Sequence, residues 1–183
     1  MNKKHIFLLI LFLISTLSFS QNKYITKTGN VDFEASVSSF EEVKAINNST
    51  TAIVNVDNGD FAALILVKGF RFKNALMEEH FNENYAESDT YPKATFKGKI
   101  KDLNVSTLNT TSIFKADGTL TFHGKSKSLN DIAFKINNVD GLITITGTFD
   151  IKVSDFDIDI PKIVSDKVAE TVNVSFDFTL NKK

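Results

Sequence analysis

The sequence predicts an all-β protein, an antiparallel barrel of about eight strands with one short helix covering or lining it. Two observations predict the strands. Apolar and polar residues alternate over long stretches, as in Val31, Phe33, Ala35 and Val37 against Asp32, Glu34 and Ser36, the pattern of a strand with one buried face. Turn chemistry recurs between such stretches, at Asp57-Asn58-Gly59-Asp60, Asp117-Gly118 and Asp140-Gly141, where Gly and Asn tolerate the positive φ that tight turns demand. A third observation predicts the helix: in the segment Asn74–Ile100 the alternation gives way, and Met77, Phe81 and Tyr85 recur every four residues, the spacing of one helix face.

The first element is a targeting segment. Lys3 and Lys4 precede an apolar run from Ile6 to Leu17, and Ser18-Phe19-Ser20 places small residues where a signal peptidase cuts. Residues 1–20 are therefore expected to be a signal peptide and 21–183 a single exported domain, periplasmic in location. The run is shorter than the roughly 18 to 20 apolar residues that span a bilayer. Without residues 1–20, which carry Lys3 and Lys4, the 183-residue chain becomes 163 residues and its formal charge moves from −1 to −3. Mixed, mildly acidic charge argues against a nucleic-acid partner, which needs a basic face. The chain has no Cys, so disulfides, a lipidated cysteine, a thiol nucleophile and thiolate metal sites are excluded.

The strands follow in order. Val31 to Val37 is the first. Between Ile53 and Val67 two strands flank Asn58-Gly59 as a hairpin. Ala94–Leu103, Gly118–Gly124, Asp131–Asn137 and Leu142–Val153 come next, and Val172, Val174, Phe176, Phe178 and Leu180 mark the last. The Leu142–Val153 run is about twice the usual sandwich strand, and its internal Gly147 suggests a wall that bends, so a barrel is preferred to a sandwich. Lys97, Lys99 and Lys101 alternate with Phe96, Gly98 and Ile100 and are expected on the solvated face. Pro161 should end a strand, with a turn over Lys162–Lys167. A barrel of about eight strands either fills with side chains or encloses one ligand, and periodicity leaves both open.

Four blocks in order carry a family resemblance. They are Leu76-Met77-Glu78-Glu79-His80-Phe81-Asn82, then Tyr91-Pro92-Lys93-Ala94-Thr95-Phe96-Lys97-Gly98, then Gly118-Thr119-Leu120-Thr121-Phe122-His123-Gly124, and Phe149-Asp150-Ile151-Lys152-Val153-Ser154-Asp155-Phe156. Together they resemble the YceI-like family, in which a His-bearing helix precedes Tyr-Pro-x-Ala-x-Phe, a Leu-Thr-x-x-Gly hairpin and an Asp-Phe or Asp-Tyr motif. Lys125 and Ser126 stand where that family usually has valine and threonine, a departure expected to lie in a turn. The resemblance implies an exported lipocalin-like barrel, some members of which hold an isoprenoid quinone or prenyl phosphate.

The expected function is therefore to carry, scavenge or store an amphiphilic isoprenoid lipid, without catalysis and with no cofactor beyond that lipid or quinone. Transient membrane contact fits such a role; the oligomeric state stays open, a homodimer included. Phe33, Phe72, Met77, Phe81, Phe96, Phe122, Ile145 and Phe149 are the expected apolar lining, with Leu76 and Tyr85 near the helix-covered end. Arg71, His80 and Tyr91 are the expected contacts to a quinone carbonyl or phosphate. Two alternatives remain: a structural or interaction barrel whose Phe residues simply fill its core, and a metal or hydrolytic site around His80 with Glu79, Glu83 and His123. The second is weakened by His123, which alternates out of phase with Leu120 and Phe122 and should face solvent.

Overall fold

Strand β1 (Lys23–Ser36) is the seam of the molecule: it pairs with β2 (Lys44–Asn55) along one edge and with β9 (Val168–Lys182) along the other, both antiparallel. Between them run β3 (Asp60–Leu66), β5 (Lys93–Ile100), β6 (Ser112–Phe122), β7 (Lys125–Val139) and β8 (Leu142–Lys152), each antiparallel to its neighbour. The order β1-β9-β8-β7-β6-β5-β3-β2 closes on itself, and a two-residue β4 (Arg71–Phe72) hangs on β2 at Ala45 and Ile46. Closure satisfies the strand edges internally. The computed structural model describes residues 22–37, 41–105, 108 and 110–183; the signal peptide expected over residues 1–20 lies outside the described residues.

The strands run longer than their alternation alone delimits, and several turns differ from expectation. Asn58-Gly59 does join β2 to β3, but only Gly59 takes positive φ (78°), its N–H donating to the Asn55 carbonyl at 2.8 Å. Among the described residues two tight turns have paired positive φ, His123-Gly124 (48° and 72°) and Asp140-Gly141 (52° and 81°), the geometry that matches strand twist. Asp117-Gly118 is not a turn. It lies inside β6, beside a bulge where Asp131 takes positive φ (55°) and donates its N–H to the Asp117 carboxylate at 2.8 Å. Lys125 and Ser126, placed in a turn by the sequence, open β7 instead.

Inside, the barrel is filled at one end and open at the other. At the end of the β2–β3 and β7–β8 turns, Val54, Ile100, Leu108, Ile136, Ile143, Ile145 and Leu180 are all nearly inaccessible. Next along the axis comes a layer of rings, Phe61, Phe96, Phe134, Phe176 and Phe178. Phe134 lies 5.3 Å from Phe61 and 4.9 Å from Phe176, and Phe178 stacks on Phe176 at 5.3 Å. The register alternates large with small at this level: Phe61 faces Gly98, and Phe134 and Phe176 both face Gly147. Five rings fit one barrel cross-section because glycines sit opposite them.

The helix caps one side of the open end. Asn74 begins it as an N-cap, its Oδ1 accepting the Leu76 N–H at 2.9 Å. The α-helical part, α1, covers only Ala75–His80 and passes into a π turn over Phe81–Tyr85 closed by Ala86 N–H to the Phe81 carbonyl at 2.8 Å. The wider turn keeps Met77, Phe81 and Tyr85 on the barrel side although only Ala75–His80 is regular α-helix.

Candidate functional site

Above the ring layer the barrel encloses an open-mouthed cavity of about 580 Å³, within the size range of small-molecule sites. Every strand of the barrel except β2 contributes inward residues to its wall. On β7 these are Ile132 before Phe134, on β9 Val172 and Val174 before Phe176, and on β8 Ile151 and Phe149 before Gly147. Among the lining residues the polar ones are Glu41, His80, Tyr85 and Lys167, of which Glu41, His80 and Lys167 are exposed. The cavity is an apolar sleeve with its polar groups toward solvent.

On the helix side, four rings pack as one cluster. Phe33 lies 5.1 Å from Phe70, 5.8 Å from Phe72 and 5.3 Å from Phe81, and Phe81 lies 5.3 Å from Phe72. Phe33 comes from β1, Phe72 from β4 and Phe81 from the π turn, so the cluster seals the helix onto the wall. Glu78 fastens it further, accepting from Arg71 Nη1 at 2.9 Å and from the Phe72 N–H at 3.2 Å. The Asn74 amide reaches Glu41 at 3.4 Å, and Lys73 pairs with Glu42. The Lys73 ammonium, by hydrogen bond and charge, holds the Glu42 carboxyl below its ordinary range.

The structure brings nine of the thirteen expected residues to this cavity: Phe33, Phe72, Met77, His80, Phe81, Tyr85, Phe96, Phe122 and Phe149. Four lie elsewhere. Arg71 points away, its guanidinium spent on Glu78 and on the Lys68 and Phe70 carbonyls. Leu76 sits on the outer helix face, 56% exposed. Ile145 faces inward but belongs to the filled end beyond Gly147. Tyr91 packs edge-on against His123, ring centroids 4.6 Å apart, over Gly124, where a Cβ would lie 2.7 Å from the Tyr91 ring.

His123 does not face solvent. Its side chain is only 11% exposed, its Nδ1 donates to the Phe156 carbonyl at 2.8 Å, and its Nε2 stands 3.5 Å from Glu87. A carbonyl only accepts, so Nδ1 carries the proton. His123 is thus a strut between the β6–β7 turn and the short turn Val153–Phe156, not a partner for His80. Among the described residues no three His, Asp or Glu side chains converge as metal ligands do.

Sequence reasoning missed most of the lining residues, and two groups of them show why. Val31, Ala35, Val172 and Val174 share strand faces with Phe33 and Phe176, so period-two alternation extended from those rings finds them. Ile158, Ile160, Val164 and Lys167 come from the segment after Phe156, which holds no strand for Pro161 to end. Ile158 and Ile160 continue the alternation of Phe156 against Asp155, Asp157 and Asp159, so the same extension finds them; Pro161 to Lys167 has no period, and nothing local marks Val164 and Lys167 as part of the wall.

A family model described as YceI-like domain matches residues 15–180. Among solved structures, a polyisoprenoid binding domain from Saccharophagus degradans implicated in plant cell wall breakdown superposes with a TM-score of 0.77 at 14% identity, covering 90% of this chain and all of that one. BcnA from Burkholderia cenocepacia gives 0.69 at 18% identity over 84% of this chain and 96% of its own, and the YCEI protein of Campylobacter jejuni 0.64 at 19% over 79% and 88%. No curated protein matches the chain significantly by sequence. With the closed eight-stranded barrel, the helix at its open end and a family match that covers most of its length, the chain belongs to the YceI-like family.

Proposed function

We propose that the protein is an exported carrier, scavenger or store of an amphiphilic isoprenoid-type lipid, a quinone or a prenyl phosphate, acting by binding and not by catalysis. The tail occupies the sleeve and the head group stays at the mouth beside Glu41, His80 and Lys167. The observation that carries this reading is the open cavity of about 580 Å³, walled by aliphatic and aromatic side chains, with charge confined to its exposed lining. A merely structural barrel fills this space as it fills the opposite end. The polyisoprenoid binding activity named for the Saccharophagus degradans neighbour supports the ligand class, and the basic, apolar start of the chain supports export to the periplasm.

Energetics suit exchange with membranes. Burial of each methylene from water is worth about 0.8 kcal/mol, but a lipid already in a bilayer has left water, so its transfer into the sleeve is nearly balanced. Packing against the rings and contacts to the head group then decide direction. Mass spectrometry of lipids extracted from protein purified out of its native cell envelope tests the reading. A reproducible isoprenoid supports it. Lipid-free protein that also takes up neither quinones nor prenyl phosphates from vesicles ends it, and recovery of the full-length chain in the cytosolic fraction ends the export part.

A further inference from the structure

The ring layer that divides the barrel sets how much of a tail can enter. We propose that it is a length gauge: the cavity accepts a single tail of about four isoprene units, or a straight chain of similar bulk, and discriminates against longer polyprenyl tails. This rests on the lipid-binding reading above.

Three observations carry it. First, about 580 Å³ divided among methylene-sized groups of about 30 Å³, close to a water molecule's share of its liquid, holds about twenty such groups, or about four isoprene units. Second, the way past the rings is blocked. Phe61, Phe96, Phe134, Phe176 and Phe178 all line the cavity, whereas the inward residues beyond them, Ile100, Ile136, Ile143, Ile145 and Leu180, line none of it and are at most 1% exposed. Third, the rings have no room to swing outward. The Phe176 ring occupies the place a side chain on Gly147 would take, and the Phe96 ring does the same at Gly118.

The rim is the polar end, so a ligand enters tail first and stops where the rings begin. A longer tail then leaves its surplus units at the mouth, in water, each exposed methylene lowering affinity about fourfold relative to the bilayer it came from.

The experiment offers the full-length mature protein vesicles containing equimolar farnesol, geranylgeraniol and solanesol, re-isolates the protein and quantifies the bound alcohols by mass spectrometry. Wild type should enrich geranylgeraniol over solanesol at least about tenfold. Phe134→Ala removes the ring that touches Phe61, Phe96 and Phe176, opens room for about three more methylene-sized groups, and should raise solanesol relative to geranylgeraniol at least about tenfold over wild type. Ile132→Phe raises the floor by filling about one methylene-sized group of open cavity without leaving a void, and should lower the ratio of geranylgeraniol to farnesol about fourfold, so it decides the matter even if Phe134→Ala fails to fold. Equal uptake of solanesol by wild type, or an unchanged length preference in Ile132→Phe, overturns the gauge while leaving lipid binding intact. Failure to bind any of the three alcohols overturns the gauge together with the lipid-binding reading beneath it.

Discussion

Phe176 and Gly147 are register partners across β8 and β9, and the Cζ of the ring lies 2.5 Å from the position a Cβ on Gly147 would occupy. Gly147 is also the partner of Phe134 on its other side, so one missing side chain seats two rings of the floor. Its φ is not in the left-handed region; what it supplies is space. Gly147→Ala should therefore destabilise the fold by about 1–3 kcal/mol through overpacking, read as a lower midpoint in urea with an unchanged slope. An unchanged midpoint means the ring layer is loose.

Phe81 holds the π turn against Phe33, Phe70 and Phe72 and lines the cavity. Phe81→Asp puts an unpaired carboxylate among the three remaining rings. Lipid retention should be lost while far-UV circular dichroism keeps its β spectrum, because the closed sheet does not depend on the helix. Retained lipid in this variant removes the helix from the binding site.

The helix depends on its cap more than a longer one does, since α1 spans only Ala75–His80 and isolated helices of that length are unstable. Asn74→Ala deletes the acceptor for the Leu76 N–H and should cost about 1 kcal/mol. The loss should be local: amide exchange should quicken over residues 75–86 and stay unchanged in β7 and β8. Uniform acceleration across the barrel contradicts this.

Lys101 lies between Asp117 and Asp131, at 2.7 and 3.0 Å. Its hydrogen bonds, first of all, hold both carboxyls below their ordinary values, and theirs hold its ammonium above. The carboxylates are favoured in the folded state, so their contribution is present above the ordinary carboxylate range near about pH 4 and is lost as pH falls through the lowered folded values. The ammonium contribution is present below about pH 10 and lost as pH rises through its raised value. Lys101→Met should move both carboxyls back up in a carbon-detected NMR titration. At neutral pH stability should change little, since the groups are exposed and screened; carboxyls that do not move mean that the bulge itself, through the Asp131 N–H on Asp117, sets their values.

Local pattern made the strands and the helix start legible. Alternation from Val31 to Val37 and from Val172 to Leu180 names the inward residues because side chains on a strand alternate by geometry alone. Helical spacing at Met77, Phe81 and Tyr85 found the element beside the mouth, and the four family blocks named the fold. Alternation, however, says which way a residue points and not how far along the barrel it sits. Ile145 and Phe149 both face inward on β8, yet one is packed in the filled end and the other borders the cavity, because Gly147 and the rings it seats fall between them. That level is set by the register of eight strands closing on one another. The same holds for His123, whose positive φ in a tight turn breaks the alternation that would expose it, and for Val164 and Lys167, which follow no period and join the wall only because the chain between β8 and β9 runs past the open end. Chain chemistry determined a closed β fold with an aromatic interior; the tertiary register alone decided that half of that interior is solid and half is open.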